Sequence, residues 1–418
     1  MNTTSATDRA RTPSLPLQPE ALRRLRADPR FEELSRGASV AFTFATPSAG
    51  TVIGVHEGRL QFEGEPAFSI TANREIWERL LAPVPNAGDQ NIHALIRSGD
   101  AVFEGDALTF AQNLHLVHRV IDVAREANGN EDSQPQGHRP LILRGQYVRV
   151  DIPDHGQCDI YVERAGTGTP ILCLPTAGSD TKQYHGLITE TDLTDRYEII
   201  AFDLPWHGKS NPAWGRRSTS YRLDSASYVG AIAAVTRALE LSQPPALLGV
   251  SMAGAAVVEA IATLPKMFAG AVACQVGPRL AGRRTGWLRS ALVNESLHVP
   301  EWTRVLMSPR SPAEMRDRVW WGYSQGGFGT YDADIAYYSE SWDIDNVSPS
   351  LDLASPTIVV LSGAYDTSVP TSASQELAGA IPNSVFRVMP ELGHFPHAEN
   401  PRVFSEYLEW ALQQFLDS

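Results

Sequence analysis

A serine stands at the break between an apolar run and a helix-like run, where it could act as a nucleophile. Ser251 directly follows the apolar residues 246–250, and the small residues Gly249 and Ala253 lie two positions on either side of it. This pattern is typical of a nucleophile elbow, a strained strand-to-helix turn that exposes a serine hydroxyl. The turn would also direct the backbone N–H of Met252 toward the atom that the serine attacks. An inert serine in an ordinary strand–turn–helix unit is the alternative interpretation of this motif alone.

A reactive serine needs a histidine that accepts its proton and a carboxylate that orients the histidine. The C-terminal part of the chain supplies both. Asp366 follows the apolar run 357–361, and His394 follows the strand-like run 384–389. The chain order is therefore Ser251, Asp366, His394, which differs from the order in the chymotrypsin and subtilisin types. Three motifs in this order predict a Ser-His-Asp catalytic triad.

From about residue 141 to 418 the chain resembles the α/β-hydrolases, which share this order of triad residues. In addition, residues 197–210 resemble the family's strand followed by an Asp-x-x-Gly-x-Gly-x-Ser turn, with Trp206 in place of the first glycine. The resemblance implies an α/β fold with a mostly parallel, doubly wound sheet and a site at the carboxyl ends of its strands. It also implies that Asp203 and His207 are structural residues of the turn.

The second donor of an oxyanion hole is expected after the first core strand of this region. Most relatives have a His-Gly pair there, whereas this chain has a small loop that contains a glycine, residues 175–180. We predict that the backbone N–H of Ala177 is this donor, with Gly178 as the second choice. Thr176 and His185 are candidate contacts to the substrate.

Residues 277–349 fall where α/β-hydrolases carry a helical cap over the active site. The chain has nine tryptophans, of which five lie in this insertion: Trp287, Trp302, Trp320, Trp321 and Trp342. Packing of the cap against the sheet is the ordinary role of such residues. A cap this aromatic nevertheless favours a bulky apolar substrate, which could be aromatic, and Trp287, Trp320 and Trp321 are candidate pocket residues.

Composition limits the remaining classes of function. A net charge of −13 without a basic run argues against nucleic acid and anionic membrane surfaces as partners. Three scattered cysteines fit neither a disulfide framework nor a zinc site, and no nucleotide or flavin motif is present, so we predict no metal and no cofactor. With neither a signal-like N-terminus nor a long apolar stretch, membrane insertion is not expected, and a cytoplasmic location is predicted.

A length of 418 residues favours two domains. We expect a tail over residues 1–30, a small α+β domain over 31–127, a polar linker over 128–140 and the hydrolase domain over 141–418. In the small domain, four alternating segments predict an antiparallel meander, and helical periodicity follows. The segments are residues 39–44, 50–55, 59–64 and 67–72, and the helices are expected around 74–81 and 107–123.

This order of elements resembles a sterol-carrier-protein-like domain. The resemblance implies an apolar tunnel for lipids, although the same fold also serves as a docking or oligomerisation module. Three roles therefore stay open for residues 31–127: binding of an apolar ligand, covering of the active site, and formation of a homodimer.

The sequence predicts a serine hydrolase that forms an acyl-enzyme on a carboxylic ester or lactone of a bulky apolar small molecule. A carbon–carbon bond hydrolase acting on a diketone would use the same three residues and is the main alternative. A carrier or scaffold built on a degenerate hydrolase is a third interpretation, against which the intact triad argues.

Overall fold

The computed structural model describes residues 16–129, 138–217, 220–280 and 284–416. The chain divides into two compact units, one on each side of residue 131. Most of the expected linker, 130–137, and the first half of the expected tail, 1–15, lie outside the described residues. Within the described ranges, no helix is long and apolar enough to cross a membrane.

The N-terminal unit is a sheet with helices before and after it. Its elements are α1 (Pro19–Arg26), α2 (Pro29–Leu34), β1 (Val40–Thr46), β2 (Ala49–His56), β3 (Arg59–Gln61), β4 (Phe68–Ala72), α3 (Arg74–Leu80), α4 (Ile92–Ser98), β5 (Ala101–Gly105), α5 (Ala107–Gln112) and α6 (Leu114–Ala127).

The five strands are ordered β3-β2-β1-β4-β5, and β4 lies parallel to β1. The expected antiparallel meander is therefore wrong for the fourth strand, which does not pair with the third. Phe42 on β1 is fully buried, and the ring of Phe68 on β4 stacks on it with centroids 5.2 Å apart. Burial of this apolar pair favours β4 beside the central strand, whereas the short, exposed β3 stays at the edge.

Part of the expected tail is folded. Pro19 is the first residue of α1. Proline is tolerated there because the N–H it lacks would have no acceptor within the helix. Ala21 and Leu25 lie four positions apart on one face of the helix and are buried in the core of the N-terminal unit, together with Leu17 just before the helix. The last expected helix is also divided, since α5 and α6 meet at Asn113.

The C-terminal unit alternates strands with helices. Its elements are β6 (Arg144–Ile152), β7 (Gly156–Gly166), β8 (Thr169–Cys173), α7 (His185–Thr189), β9 (Tyr197–Phe202), α8 (Ser225–Ala238), β10 (Ala246–Val250), α9 (Met252–Thr263), β11 (Gly270–Cys274), α10 (Glu295–Arg304), α11 (Ala313–Tyr323), α12 (Thr330–Ala336), α13 (Ile344–Val347), β12 (Ile358–Gly363), α14 (Thr371–Gly379), β13 (Ser384–Met389), α15 (Pro396–Glu399) and α16 (Pro401–Leu416).

The eight strands of this unit form one sheet in the order β13-β12-β11-β10-β8-β9-β7-β6. The strands from β13 to β9 pair in parallel, and β7 and β6 extend the sheet antiparallel. One apolar cluster includes residues of α8, α9 and α14, and a second includes residues of α7 and α16, so helices cover both faces. The sheet is doubly wound, as predicted, and helices α10 to α13 lie between β11 and β12, in the segment expected to form a cap.

Candidate active site

Ser251 occupies the turn between β10 and α9 with a strained backbone. Its φ of 59° and ψ of −119° are unusual for a residue other than glycine. The turn depends on small neighbours: a Cβ at Gly249 would lie 2.1 Å from the carbonyl oxygen of Ala253, and one at Gly254 would lie 2.7 Å from that of Cys274. The strand-to-helix turn that the sequence predicts is therefore present, and close packing on both sides holds Ser251 in its strained conformation.

His394 and Asp366 lie in hydrogen-bond contact. The Nδ1 of His394 is 2.7 Å from Oδ2 of Asp366, and both side chains are buried. The other carboxylate oxygen, Oδ1, accepts the backbone N–H groups of Ser368 at 2.7 Å and Val369 at 3.0 Å. Because the carboxylate accepts a hydrogen bond from Nδ1–H, the proton of the neutral imidazole stays on Nδ1 and Nε2 is available as a base.

Ser251 and His394 line one small cavity of about 30 Å³, together with Thr176 and Ala177. Side chains of the cap close the cavity from above, among them Trp302, Leu306, Tyr331, Ile335 and Tyr338. The structure thus brings together the serine, the histidine with its aspartate partner, and the loop that was expected to supply an oxyanion donor.

The expected oxyanion donors are backbone N–H groups beside Ser251 and on the loop 175–180. Met252 is the first residue of α9, and the first N–H groups of a helix have no acceptor within the helix and carry a partial positive charge. On the opposite loop, the N–H of Gly178 already donates to Oδ2 of Asp334 at 2.7 Å. Ala177 therefore stays the candidate for the second donor, ahead of Gly178.

The other candidate pocket residues are dispersed. His185 and Trp321 line a neighbouring cavity of about 150 Å³ instead, and the two cavities share the rings of Tyr323 and Phe395. The indole N–H of Trp320 donates to Oε1 of Glu301 at 2.8 Å, so this residue packs within the cap.

Trp287 belongs to a short 3-10 turn, Gly286–Arg289, and lines neither cavity. His185 places Nε2 2.6 Å from Oε2 of Glu163. Burial alone would raise the pKa of Glu163, but its hydrogen bonds with His185 and Lys209 lower that pKa to about 2. His185 thus stabilises the buried carboxylate of Glu163 and also lines the larger cavity.

Two buried polar residues that the sequence did not single out hold the loop of His394. Oε1 of Glu399 accepts the N–H of Gly393 at 2.5 Å and that of Ser308 at 3.2 Å. Gln275, which has a φ of 55°, accepts the N–H of Gly363 at 3.0 Å and donates to the carbonyl oxygen of Gly393. No local motif marks either residue, because Gln275 and the Ser308 partner of Glu399 bring distant segments of the chain to this loop.

The comparison with protein-family models matches residues 171–407 to the alpha/beta hydrolase family. The comparison with curated proteins finds no match. Among solved structures, an esterase from Thermogutta terrifontis is 20% identical with a TM-score of 0.52, covering 65% of this chain and 99% of its own. The enol-lactonase from Burkholderia xenovorans LB400 is 15% identical with a TM-score of 0.51, covering 64% of this chain and 100% of its own.

Bromoperoxidase from Bacillus anthracis is 20% identical, with a TM-score of 0.53, and the match covers 64% of this chain and 100% of the bromoperoxidase. At these identities the structural neighbours show that the fold is shared, but they carry no information on the substrate. The family model, in contrast, spans more than half of the chain, including the serine turn, the aspartate and the histidine. The chain therefore belongs to the alpha/beta hydrolase family.

Proposed function

We propose that this protein is a serine hydrolase that cleaves carboxylic esters or lactones through an acyl-enzyme. One observation carries the proposal: the strained Ser251 and the His394–Asp366 pair meet at a single cavity. Ser251 attacks the carbonyl carbon, and Nε2 of His394 takes the serine proton and then returns it to the leaving alkoxide. Asp366 holds the imidazole in the required tautomer and stabilises its charged form.

The tetrahedral intermediate carries its negative charge on the former carbonyl oxygen. The backbone N–H groups of Met252 and Ala177 donate to this oxygen, each lowering the barrier by about 3 kcal/mol in related chemistry. Water activated by His394 then attacks the acyl-enzyme, and Ser251 leaves. The esterase and enol-lactonase among the structural neighbours support ester and lactone chemistry on this fold.

We further propose that the substrate is a bulky apolar molecule with a flat ring. The cavity of about 30 Å³ at Ser251 is large enough for little more than the scissile carbonyl group. The neighbouring cavity of about 150 Å³ is lined by the aromatic side chains of Trp321, Tyr323 and Phe395. A substrate whose ring lies in the larger cavity has to displace the rings of Tyr323 and Phe395, whose centroids are 5.4 Å apart.

Labelling with a fluorophosphonate tests this function before any substrate is known. A single stoichiometric adduct, mapped to Ser251 and absent in Ser251→Ala, supports an assembled nucleophile, base and oxyanion hole. Activity on aryl esters or lactones then supports the reaction class, whereas turnover of diketones alone would favour the carbon–carbon bond hydrolase. A protein that is never labelled and turns over none of these substrates contradicts the proposal.

For the N-terminal unit we propose a sterol-carrier-protein-like fold with a ligand-binding or oligomerising role. Its mixed sheet and flanking helices support the α+β class. Titration of the whole protein with a fluorescent fatty acid separates the two roles. Saturable binding supports an apolar ligand, and a dimeric mass in solution without binding supports oligomerisation.

A further inference from the structure

Three segments of the hydrolase unit meet at the carboxylate of Asp334, on the cap helix α12. Its Oδ2 accepts the N–H of Gly178 at 2.7 Å and lies 2.8 Å from Nε2 of His207. Its Oδ1 accepts the hydroxyl of Tyr221 at 2.6 Å. Asp334 is completely buried, and a buried carboxylate is tolerated only when such partners replace water. One side chain thus connects the cap, the turn after β9 and the loop 175–180, which carries the candidate oxyanion donor Ala177 and is called the oxyanion loop below.

The geometry around His207 indicates a positively charged imidazole. Nδ1 lies 3.0 Å from the carbonyl oxygen of Pro205, which can only accept, so Nδ1 carries a proton. Nε2 faces the carboxylate of Asp334 and carries the other. Burial lowers the pKa of His207, but the charge and hydrogen bond of Asp334 outweigh burial and raise the pKa to about 9. The two residues therefore form a buried ion pair at neutral pH.

The other titratable groups around His207 are consistent with this state. Tyr221, whose ring lies edge-on at 5.5 Å, is neutral because burial holds its pKa well above the usual value. Asp203, on the same turn, has a pKa that burial raises to about 6, so it is ionised at the pH where His207 titrates. The ring of His155 also contacts the ring of Tyr221. Burial lowers the pKa of His155, so this imidazole is neutral.

The hydrogen bond to Gly178 fixes the peptide plane that follows Ala177. Gly178 has a φ of 65°, and a Cβ there would lie 2.7 Å from the ring of Tyr331 on the cap. The loop is therefore held against α12 both by contact and by a charge-assisted hydrogen bond. Since the direction of the Ala177 N–H depends on the conformation of this loop, Asp334 acts on the oxyanion hole without touching the substrate.

We propose that Asp334 is a positioning residue for the oxyanion hole and that His207 neutralises its charge during catalysis. An unpaired carboxylate bound to Gly178, the residue after the candidate oxyanion donor Ala177, would repel the negative charge of the tetrahedral intermediate. The imidazolium of His207 cancels this repulsion. When His207 loses its proton, the cancellation ends and the oxyanion is destabilised. This inference rests on the proposed hydrolase function.

The variant Asp334→Asn removes the charge but keeps an oxygen that can accept from Gly178. Asp332→Asn is the matched control, because Asp332 lies on the same helix and pairs with Arg284 at 2.8 Å and Arg289 at 2.6 Å instead. The rate of fluorophosphonate labelling of Ser251 reports on the oxyanion hole without a known substrate. We expect Asp334→Asn to slow labelling by about tenfold and Asp332→Asn to label at the wild-type rate.

The pH profile separates positioning from a merely structural role. In the wild type, labelling should fall at high pH with a midpoint near the His207 pKa of about 9. This fall should be absent in Asp334→Asn. His207→Gln, which keeps a donor but no charge, should also lack it and should label slowly at every pH; it serves as the second variant if Asp334→Asn does not fold. Equal rates and profiles for Asp334→Asn and Asp332→Asn overturn the proposal.

Titration of His207 by NMR distinguishes failure of this inference from failure of the proposed function. A midpoint near 9 in the wild type that falls in Asp334→Asn supports the ion pair whether or not the protein is catalytic. A midpoint near the ordinary 6.5 overturns the role given to His207. If the wild type is never labelled, the hydrolase function and the positioning role both fail, even where the titration shows the ion pair.

Discussion

The carboxylate of Glu399 accepts a 2.5 Å hydrogen bond from the backbone N–H of Gly393, the residue before the candidate base His394. The same oxygen accepts the hydroxyl of Ser311 at 3.2 Å, and the N–H of His394 itself donates to the carbonyl oxygen of Leu306 at 3.0 Å. The loop that carries the histidine is thus attached to the cap directly, through Leu306, and indirectly, through Glu399. We therefore expect movements of the cap to shift His394 as well as the side chains that line the pocket.

The buried position of Glu399 predicts a pH-dependent stability. Burial raises its pKa from 4.5 to about 7, against the effect of its hydrogen bonds. The folded protein therefore binds this proton more tightly than the unfolded chain, and the resulting stabilisation is full below pH 4.5 and is lost as the pH rises to about 7. Glu399→Gln should have no such loss, so its melting temperature relative to the wild type should increase between these two pH values.

Glu399→Ala is the companion variant, because it leaves the buried N–H of Gly393 without its acceptor. An unsatisfied buried donor costs about 1 to 3 kcal/mol, so this variant should melt lower than Glu399→Gln at every pH. Melting curves of the three proteins across the acidic range give the answer. Parallel curves for the wild type and Glu399→Gln would show that Glu399 does not titrate in this range.

Asp366→Asn should preserve the fold and remove most of the activity. An asparagine presents an amide in place of one carboxylate oxygen, which favours the wrong imidazole tautomer of His394. We expect turnover to fall by about 10⁴-fold with little change in melting temperature, by analogy with other serine triads. Near-native rates in this variant would assign the orienting carboxylate to another residue.

Gly249→Ala should destabilise the protein strongly. The added methyl group would lie 2.1 Å from the backbone oxygen of Ala253, which cannot move without disrupting α9. Overpacking of a well-packed core costs about 1 to 3 kcal/mol, and overlap with backbone lies at the upper end of this range. Gly379→Ala is the matched control, since a Cβ there meets nothing within 4 Å and the position ends helix α14. Denaturant unfolding of both variants should separate them clearly, and equal stability would show that the turn can relax.

The sequence predicted those parts of the site that are encoded by short motifs beside apolar strands. Ser251, Asp366 and His394 each follow a recognisable strand, so their types and order were sufficient to expect them at one edge of the sheet. Asp334 and Gln275 could not be found in this way. The hydrogen bond from Gly178 to Asp334 spans 156 positions and that from Gly363 to Gln275 spans 88, and no local pattern reports such contacts.

The prediction for the N-terminal sheet failed for a related reason. Alternation of apolar residues located all four expected strands, but pairing depends on which strands bury their faces together. The stacking of Phe42 on Phe68 favours the parallel pair of β1 and β4, whereas the expected meander pairs each strand only with its neighbours along the chain. In this chain, local sequence signals therefore predict where each strand lies better than they predict which strand it pairs with in the sheet.

The proposed arrangement of the substrate predicts a selective effect at Gly322. This residue lines the cavity of about 150 Å³, and a Cβ there meets nothing within 4 Å, so a larger side chain enters without displacing backbone. Gly322→Phe should partly fill the space proposed for the substrate ring. We expect kcat/KM for bulky aryl esters to fall by about tenfold, while that for a short acetate ester stays unchanged, because the acetate needs only the cavity at Ser251.

Gln325→Phe adds the same ring at an exposed position just beyond the helix and serves as the control. It should leave both rates unchanged. If Gly322→Phe slows the acetate and the bulky ester equally, the larger cavity does not hold the substrate ring, and Trp302 and Tyr338, which line the cavity at Ser251, become its candidate contacts. A selective loss would instead support a substrate ring in the larger cavity, reached past Tyr323 and Phe395, which line both cavities.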